Sequence, residues 1–345
     1  MGLGDYHSVI LNRDGSVWST AINLRGADSF TGVRKHFVKS IQSGAIAVAA
    51  GAGHTIALKQ DGGVWTMGRN YLGQLGDGSQ ARKNTFSLVK MIPGAKAAAA
   101  GGAHSMVLTK TGQVWVTGWN KHGQLGIGDC SSVETSFRFR LVMPEGAGAV
   151  TAGEIHSVVL KQDGSVWATG RNFNGQLGDG SRDSRSSFVK VISSGAVEVV
   201  AGGHHSMVIK QDGSVWATGC NEYGQLGNGS TTDQTNYVEV VPSGAKTVAA
   251  GRRHSMMLKE DGSVWATGSN EYGQLGNGST TNRNMFVQVM ADGAEAVAAG
   301  AFYSMVVKQD GSTWATGSNV AGQFGDGSTI SEKSFVRFAP FGHGS

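Results

Sequence analysis

The chain contains little proline, cysteine or charge, and each shortage excludes a class of protein. Only 4 of the 345 residues are proline, which excludes a collagen-like or proline-rich chain. The 2 cysteines, Cys130 and Cys220, form no CxxC motif, so we expect free thiols without a disulfide framework. Charged residues make up 16%, which is low for a coiled coil. No apolar run is long enough for a transmembrane helix, so we expect no membrane partner.

The charges that are present cancel locally. The net charge is +4, but lysines recur beside aspartates, as in Lys161 with Asp163 and Lys210 with Asp212. A nucleic-acid-binding protein usually clusters its basic residues on one face, so we do not expect nucleic-acid binding. The N-terminus lacks the basic and apolar segments of a signal peptide, which slightly favours the cytoplasm.

Glycine is abundant, at 54 residues, and tryptophan reveals why. Seven tryptophans stand in Gly-x-Val-Trp or a close variant, at intervals of 47, 50, 52, 49, 49 and 49 residues: Trp18, Trp65, Trp115, Trp167, Trp216, Trp265 and Trp314. Seven repeats therefore fill the chain. We expect these tryptophans to form core packing between repeats.

Each repeat contains four short strands. In residues 244–289, four runs of four to seven residues are separated by glycine-rich turns, and Asp-Gly marks the hairpin between the second and third. We name the strands A to D. Seven such units predict an all-β, seven-bladed β-propeller over residues 1–345 as a single domain. The rival, an open stack of sheets, would need capping repeats at both ends.

The N-terminus predicts an irregular first blade. Gly4-Asp5-Tyr6-His7 aligns with Gly251-Arg252-Arg253-His254, which follows a strand A. We therefore expect blade one to lack its inner strand, and the chain to be a fragment of a longer one.

Three motifs recur together: Ala-Gly-x-x-His-Ser, Asp-Gly-Ser-Val-Trp and Asn-x-x-Gly-Gln-Leu-Gly. Over essentially its whole length the chain resembles the regulator-of-chromosome-condensation repeat family. The resemblance implies a seven-bladed propeller and little about activity, because relatives include a nucleotide-exchange factor, a plant ultraviolet photoreceptor and a β-lactamase inhibitor. This chain departs from the pattern at residues 20–26, which lose Gly-Gln-Leu-Gly, and at Tyr303, which replaces the motif histidine.

The sequence contains no motif of a known catalytic, phosphate-binding or metal site. We therefore predict no enzyme, no cofactor and no metal. The six motif histidines belong to different blades and are expected to form structural hydrogen bonds: His7, His54, His104, His156, His205 and His254. The aspartates of Gly-Asp-Gly-Ser, such as Asp77, are expected to form turns, and the motif glutamines to satisfy loop backbone.

Strand direction separates the two faces of the ring. The A–B and C–D loops share one face, which we call the variable face, and the B–C and D–A turns share the other, which repeats Asp-Gly. Variation on a fixed scaffold suits recognition. We predict that blades five, six, seven and one bind the partner, and that the side with blades two and three is plainer. The predicted residues are Asp5, Tyr6, His204, Tyr223, Arg252, Arg253, Tyr272 and Phe302.

The resulting hypothesis is a monomeric, non-enzymatic propeller that binds a protein partner through its variable face. Two alternatives stay open. One is a guanine-nucleotide exchange factor for a small GTPase, although no repeat is long enough for the wedge that the exchange factor carries. The other is an inhibitor of a secreted enzyme, which an upstream signal peptide would favour.

Overall fold

The computed structural model describes residues 1–20 and 35–339, and all regular structure within them is β-strand. Each repeat forms one antiparallel sheet of four strands in chain order. Strands A face the central channel and strands D lie outermost. The seven sheets form the blades of a propeller, as predicted.

The strands fall into four equivalent sets. Strands A are β1 (Gly2–Leu3), β5 (Ala45–Ala50), β9 (Ala95–Ala100), β13 (Ala147–Ala152), β17 (Ala196–Ala201), β21 (Ala245–Ala250) and β25 (Ala294–Ala299). Strands B are β2 (Ser8–Leu11), β6 (His54–Lys59), β10 (His104–Thr109), β14 (His156–Lys161), β18 (His205–Lys210), β22 (His254–Lys259) and β26 (Tyr303–Lys308).

The outer two sets complete the blades. Strands C are β3 (Val17–Ser19), β7 (Gly63–Gly68), β11 (Val114–Trp119), β15 (Val166–Gly170), β19 (Val215–Gly219), β23 (Val264–Gly268) and β27 (Thr313–Gly317). Strands D are β4 (Val38–Ile41), β8 (Lys83–Met91), β12 (Thr135–Met143), β16 (Arg185–Ile192), β20 (Gln234–Val241), β24 (Arg283–Met290) and β28 (Glu332–Phe338).

The prediction that blade one lacks its inner strand is wrong. Residues Gly2–Leu3 form β1, where Gly2 pairs with Val9 and Leu3 pairs with Ser8. The strand is two residues long, whereas the other inner strands have six. These two residues give blade one its fourth strand, at the end of the sheet that lies towards the variable face. The departure at residues 21–26 lies outside the described residues.

The tryptophans lie between blades, as predicted, but they are half-buried and not part of the fully buried core. Trp265 of blade six packs on the core of blade five, which includes Met207 and Leu226. Its indole N–H donates to Ser263 Oγ at 2.9 Å, and Lys259 Nζ lies 4.4 Å from the ring centroid. Lysine stems therefore shield these rings from water on the outer side.

The motif histidines join neighbouring blades, as expected. In blade six, His254 Nε2 lies 2.9 Å from Ser304 Oγ of blade seven, and four other histidines repeat this contact with a serine. His7 makes the equivalent contact with Thr55 Oγ1. The serine in turn donates to the carbonyl of a motif glutamine, as Ser304 does to Gln274 at 2.7 Å. Burial lowers the pKa of His254 to about 4, so the imidazole is neutral at physiological pH.

The motif loops also follow the predictions. Gln274 Oε1 accepts a hydrogen bond of 3.0 Å from the backbone N–H of Tyr272. Asp179 Oδ1 accepts one of 3.0 Å from the N–H of Ser181, which makes it a turn former. These side-chain bonds fix the C–D loops, so the residues between them are presented in a defined geometry.

Candidate binding face

The A–B loops surround the mouth of the central channel. A cavity of about 190 Å³ opens there, lined by the last residue of each strand A, the glycine after it and the residue that follows that glycine. Most of these following residues are small. Three are charged and come from three different blades: Asp5, Glu154 and Arg252.

Arg252 and Glu154 form an ion pair that spans two blades. Arg252 Nη2 donates to Glu154 Oε1 at 3.0 Å, although the residues are 98 apart in sequence. His204, from the blade between them, places Nε2 at 3.4 Å from the other carboxylate oxygen. All three side chains are about one-third exposed or less, so the pair is sheltered but reachable from solvent.

Two glycines make this pair possible. The Arg252 stem crosses Gly203, where an added Cβ would lie 3.0 Å from Arg252 Cγ and 2.5 Å from its carbonyl oxygen. The Glu154 stem crosses Gly102 in the same way, with Cγ at 3.1 Å from such a Cβ. A larger residue at either position would push the charged side chain away from its place.

Aromatic rings extend the cluster outward from Arg252. Its guanidinium carbon lies 5.9 Å from the centroid of the Phe302 ring, and Phe302 lies 5.2 Å from the Tyr272 ring. Tyr272 is 43% exposed. The result is a continuous row from carboxylate to guanidinium to two rings.

A second arginine–aromatic contact lies beside the first. Arg253 Nη1 donates to the Tyr223 hydroxyl at 3.0 Å, and the guanidinium lies 4.7 Å above the ring. Arg253 is exposed and Tyr223 is half-buried. The tyrosine therefore holds the arginine in one orientation at the surface.

The two predicted residues of blade one stand apart from this row. Asp5 is half-buried at the channel mouth, and burial raises its pKa, although the nearby positive charge of Arg252 opposes the shift. Tyr6 is 41% exposed on the same face. The structure thus brings together His204, Tyr223, Arg252, Arg253, Tyr272 and Phe302, with Asp5 electrostatically coupled to them and Tyr6 further along the face.

The expectation that the side with blades two and three is plain is wrong. In blade three, Trp119 packs edge-on against His122 at 5.2 Å, and His122 lies 6.3 Å from Phe173 of blade four. Arg171 places its guanidinium carbon 4.8 Å from the Phe173 centroid. Trp119 ends strand C of blade three, and the C–D loops supply the other three residues, whereas the prediction considered the A–B loops of these blades alone.

The main omissions from the predicted site are Glu154 and Arg171. Glu154 was visible as the acidic residue of an A–B loop, but nothing local marks it as the partner of Arg252. The pKa of His204 is lowered by burial, with further lowering by Arg171, Arg252 and Arg253 and an opposing effect of Glu154. These residues therefore form one electrostatic unit with a neutral imidazole at its centre.

The described residues offer no group of three or more histidine, cysteine, aspartate or glutamate side chains that could hold a metal. Both cysteines are free, as predicted, with Cys220 buried and Cys130 half-buried. In the same part of the chain, no helix has the length and hydropathy needed to cross a membrane.

The face with the Asp-Gly turns repeats one geometry, in which the aspartate caps the turn. Asp163, for example, accepts a hydrogen bond of 2.9 Å from the backbone N–H of Ser165.

Comparisons with known proteins agree with this architecture. The family model of the RCC1-like domain matches residues 1–243, and models of the regulator of chromosome condensation (RCC1) repeat match residues 245–274 and 261–307. Human WBSCR16 is similar in structure, with a TM-score of 0.80 and 22% identity over 91% of this chain and 88% of that one.

Two structures of the yeast protein Prp20 are also similar. Yeast RCC1 (Prp20) bound to Kap60 gives a TM-score of 0.78 and 21% identity over 88% of this chain and 78% of that one. Prp20p from Saccharomyces cerevisiae, described with its binding to Gsp1p and histones, gives 0.79 and 20% over 98% and 86%. A sequence comparison with curated proteins finds no significant match.

Proposed function

Because the chain belongs to the family of RCC1-like domains, we propose that it is a single-domain, monomeric, non-enzymatic propeller that binds a protein partner through its variable face. The observation that carries this proposal is the row formed by Glu154, Arg252, Phe302 and Tyr272. Such a row combines a positioned guanidinium with exposed aromatic surface, which are the residue types that dominate binding energy at protein interfaces.

The row is held in place before any partner arrives. Arg252 is fixed by its bond to Glu154, and Phe302 is fixed between Arg252 and Tyr272. Side chains that are already ordered lose less conformational entropy on binding, so more of the contact energy appears as affinity. The opposite face has turns that satisfy their own backbone groups and vary little.

The structural relatives support the choice of a protein as partner. Prp20 is described with Kap60, Gsp1p and histones, all of which are proteins. At about one-fifth identity these relatives share the fold with this chain, and the partner of this chain has to be found by experiment.

The experiment is a capture of partners by the immobilised propeller, followed by an alanine scan against the partner identified. We expect Arg252→Ala, Tyr272→Ala and Phe302→Ala each to cost about 1–3 kcal/mol of affinity. Arg13→Ala, in an exposed turn of the opposite face, is the matched control. Circular dichroism checks folding, and light scattering checks that the propeller is a monomer. Losses concentrated at Arg13 and its neighbouring turns would contradict the proposal.

A further inference from the structure

The cluster around His204 contains more positive than negative charge. Three arginines from two blades act on this imidazole: Arg171, Arg252 and Arg253. Within the described residues the carboxylate in contact with them is Glu154, and it pairs with Arg252. In the part of the chain that the structure describes, neither Arg171 nor Arg253 forms an ion pair.

Both of these arginines are oriented by aromatic rings and not by acids. Arg171 stacks on Phe173 at 4.8 Å, and its Nε is buried without a hydrogen-bond acceptor. Arg253 stacks on Tyr223 at 4.7 Å and uses one N–H to reach the tyrosine hydroxyl. A guanidinium has five N–H donors, so most of the donors of both groups remain available for an incoming acceptor.

His204 adds no positive charge to this cluster, because burial lowers the pKa of its imidazole, whose Nε2 lies 3.4 Å from Glu154. Glu154 is paired with Arg252, so within the described residues it leaves the other two guanidiniums without an acidic partner. The patch defined by Arg171, His204, Tyr223 and Arg253 therefore has positive charge and guanidinium N–H donors that no carboxylate of the described chain neutralises.

We propose that this patch docks the carboxylates of an acidic segment in the protein partner. The inference rests on the proposed function, since it names the chemistry of the partner of the same face. Guanidinium groups bind carboxylates with two parallel hydrogen bonds, and stacking on Phe173 and Tyr223 leaves Nη2 and Nε of Arg253 and both terminal nitrogens of Arg171 as donors for this geometry.

Acidic side chains around the patch favour a peptide over a nucleic acid. Glu222 and Glu271 are exposed in the neighbouring C–D loops, and Asp5 and Glu154 lie at the channel mouth. A phosphodiester backbone presents continuous negative charge and would meet these carboxylates. An acidic peptide can place single carboxylates at the arginines and other residues elsewhere.

The test uses a fluorescein-labelled peptide in which single glutamates are separated by glycine and serine, and its binding to the full chain is followed by fluorescence anisotropy. We expect Arg171→Gln and Arg253→Gln each to weaken binding by about tenfold, as for the loss of a hydrogen-bonded charge. Arg171→Lys and Arg253→Lys retain the charge and should weaken binding less. Arg13→Gln, which removes an arginine from the opposite face, should leave binding unchanged. Circular dichroism confirms that each variant is folded.

Three results would overturn the inference. The first is no binding of the peptide with spaced glutamates by the folded wild-type protein at low salt. The second is an equal loss in Arg13→Gln, which would indicate attraction by net charge alone. The third is tighter binding of single-stranded oligothymidine, which would identify a nucleic-acid site. A different measurement tests the proposed function. It is contradicted if Tyr272→Ala leaves capture of the protein partner unchanged, whatever the result with the acidic peptide.

Discussion

Tyr303 joins blade seven to blade one and so closes the ring. The substitution Tyr303→Phe measures how much its hydroxyl contributes to the free energy of unfolding. The side chain is fully buried, and its hydroxyl lies 2.7 Å from the carbonyl oxygen of His7 and 3.0 Å from Ser8 Oγ. Ser8 uses its own proton on the carbonyl of Gln323, at 2.7 Å. The tyrosine therefore donates to His7, and its contact with Ser8 adds little.

The expected cost follows from what remains after the substitution. The carbonyl of His7 also accepts a hydrogen bond of 2.9 Å from the N–H of Gly4, so it is not left without a partner. The loss of a buried hydrogen bond lowers the free energy of unfolding by about 1 kcal/mol when its acceptor keeps another donor. This is near the low end of the range for buried polar groups that lose a partner. Tyr303→Ala removes the whole ring and should cost about 3–5 kcal/mol.

Tyr303→His is the matched control because it restores the residue of the other six blades. An imidazole at this position should reach Ser8 as His254 reaches Ser304, so we expect stability within about 1 kcal/mol of wild type. Guanidinium unfolding followed by tryptophan fluorescence gives the three midpoints. If Tyr303→Phe matched wild type, the hydroxyl would not contribute to closure. If it matched Tyr303→Ala, the account of the remaining hydrogen bonds would be wrong.

Three further predictions concern the scaffold and the variable face. The buried motif histidines, with pKa values lowered to about 3 at His205 and about 4 at His254, cannot take up protons that the unfolded chain binds below pH 6.5. Each should therefore lower the free energy of unfolding by about 1.4 kcal/mol per pH unit as the pH falls from 6.5 towards 4, and His254→Gln should reduce this slope in denaturant titrations. Trp216→Ala should cost about 2–3 kcal/mol in the same assay, less than a fully buried tryptophan, and a wild-type midpoint would show that the ring contributes nothing between blades. Gly203→Ala should displace Arg252 and weaken partner binding at least as much as Arg252→Ala, and unchanged affinity in a binding titration would contradict the role of that glycine.

The blades were predictable because their information is local and repeated. Hairpin turns, strand lengths and the blade-joining histidines each lie within a few residues of a recognisable motif, and seven copies average out the ambiguity of any one. The short β1 was missed because it has two residues where the other inner strands have six, so it carries no apolar pattern of its own. Its pairing with β2 depends on the neighbouring strand and not on its own composition.

The tryptophans show how composition can suggest too much burial. A large aromatic at a fixed position in every repeat predicts core packing, and the rings do pack on the preceding blade. Their outer faces are covered by lysines, as Lys210 covers Trp216 at 3.6 Å. Since the lysine belongs to the end of strand B and the tryptophan to the start of strand C, the contact follows from the hairpin and could have been inferred from its register.

The site was less predictable, because its contacts join blades that are distant in sequence. The Arg252–Glu154 pair crosses an entire intervening blade, and only the ring geometry shows that the two side chains meet. Comparing A–B loops one at a time treats Gly102 and Gly203 as plain positions. In the structure they are the surfaces over which long side chains from the next blade extend.

A small residue in one blade therefore has to be considered together with the long residue that follows in the next. Gly102 accommodates Glu154, and Gly203 accommodates Arg252, so the charged pair depends on both glycines as much as on its own side chains. A substitution at either glycine would displace the charged side chain of the next blade, although that charged residue itself is unchanged. The specificity of this face is thus encoded in combinations of adjacent blades, which is why the repeat, and not the single loop, is the unit in which its recognition surface has to be analysed.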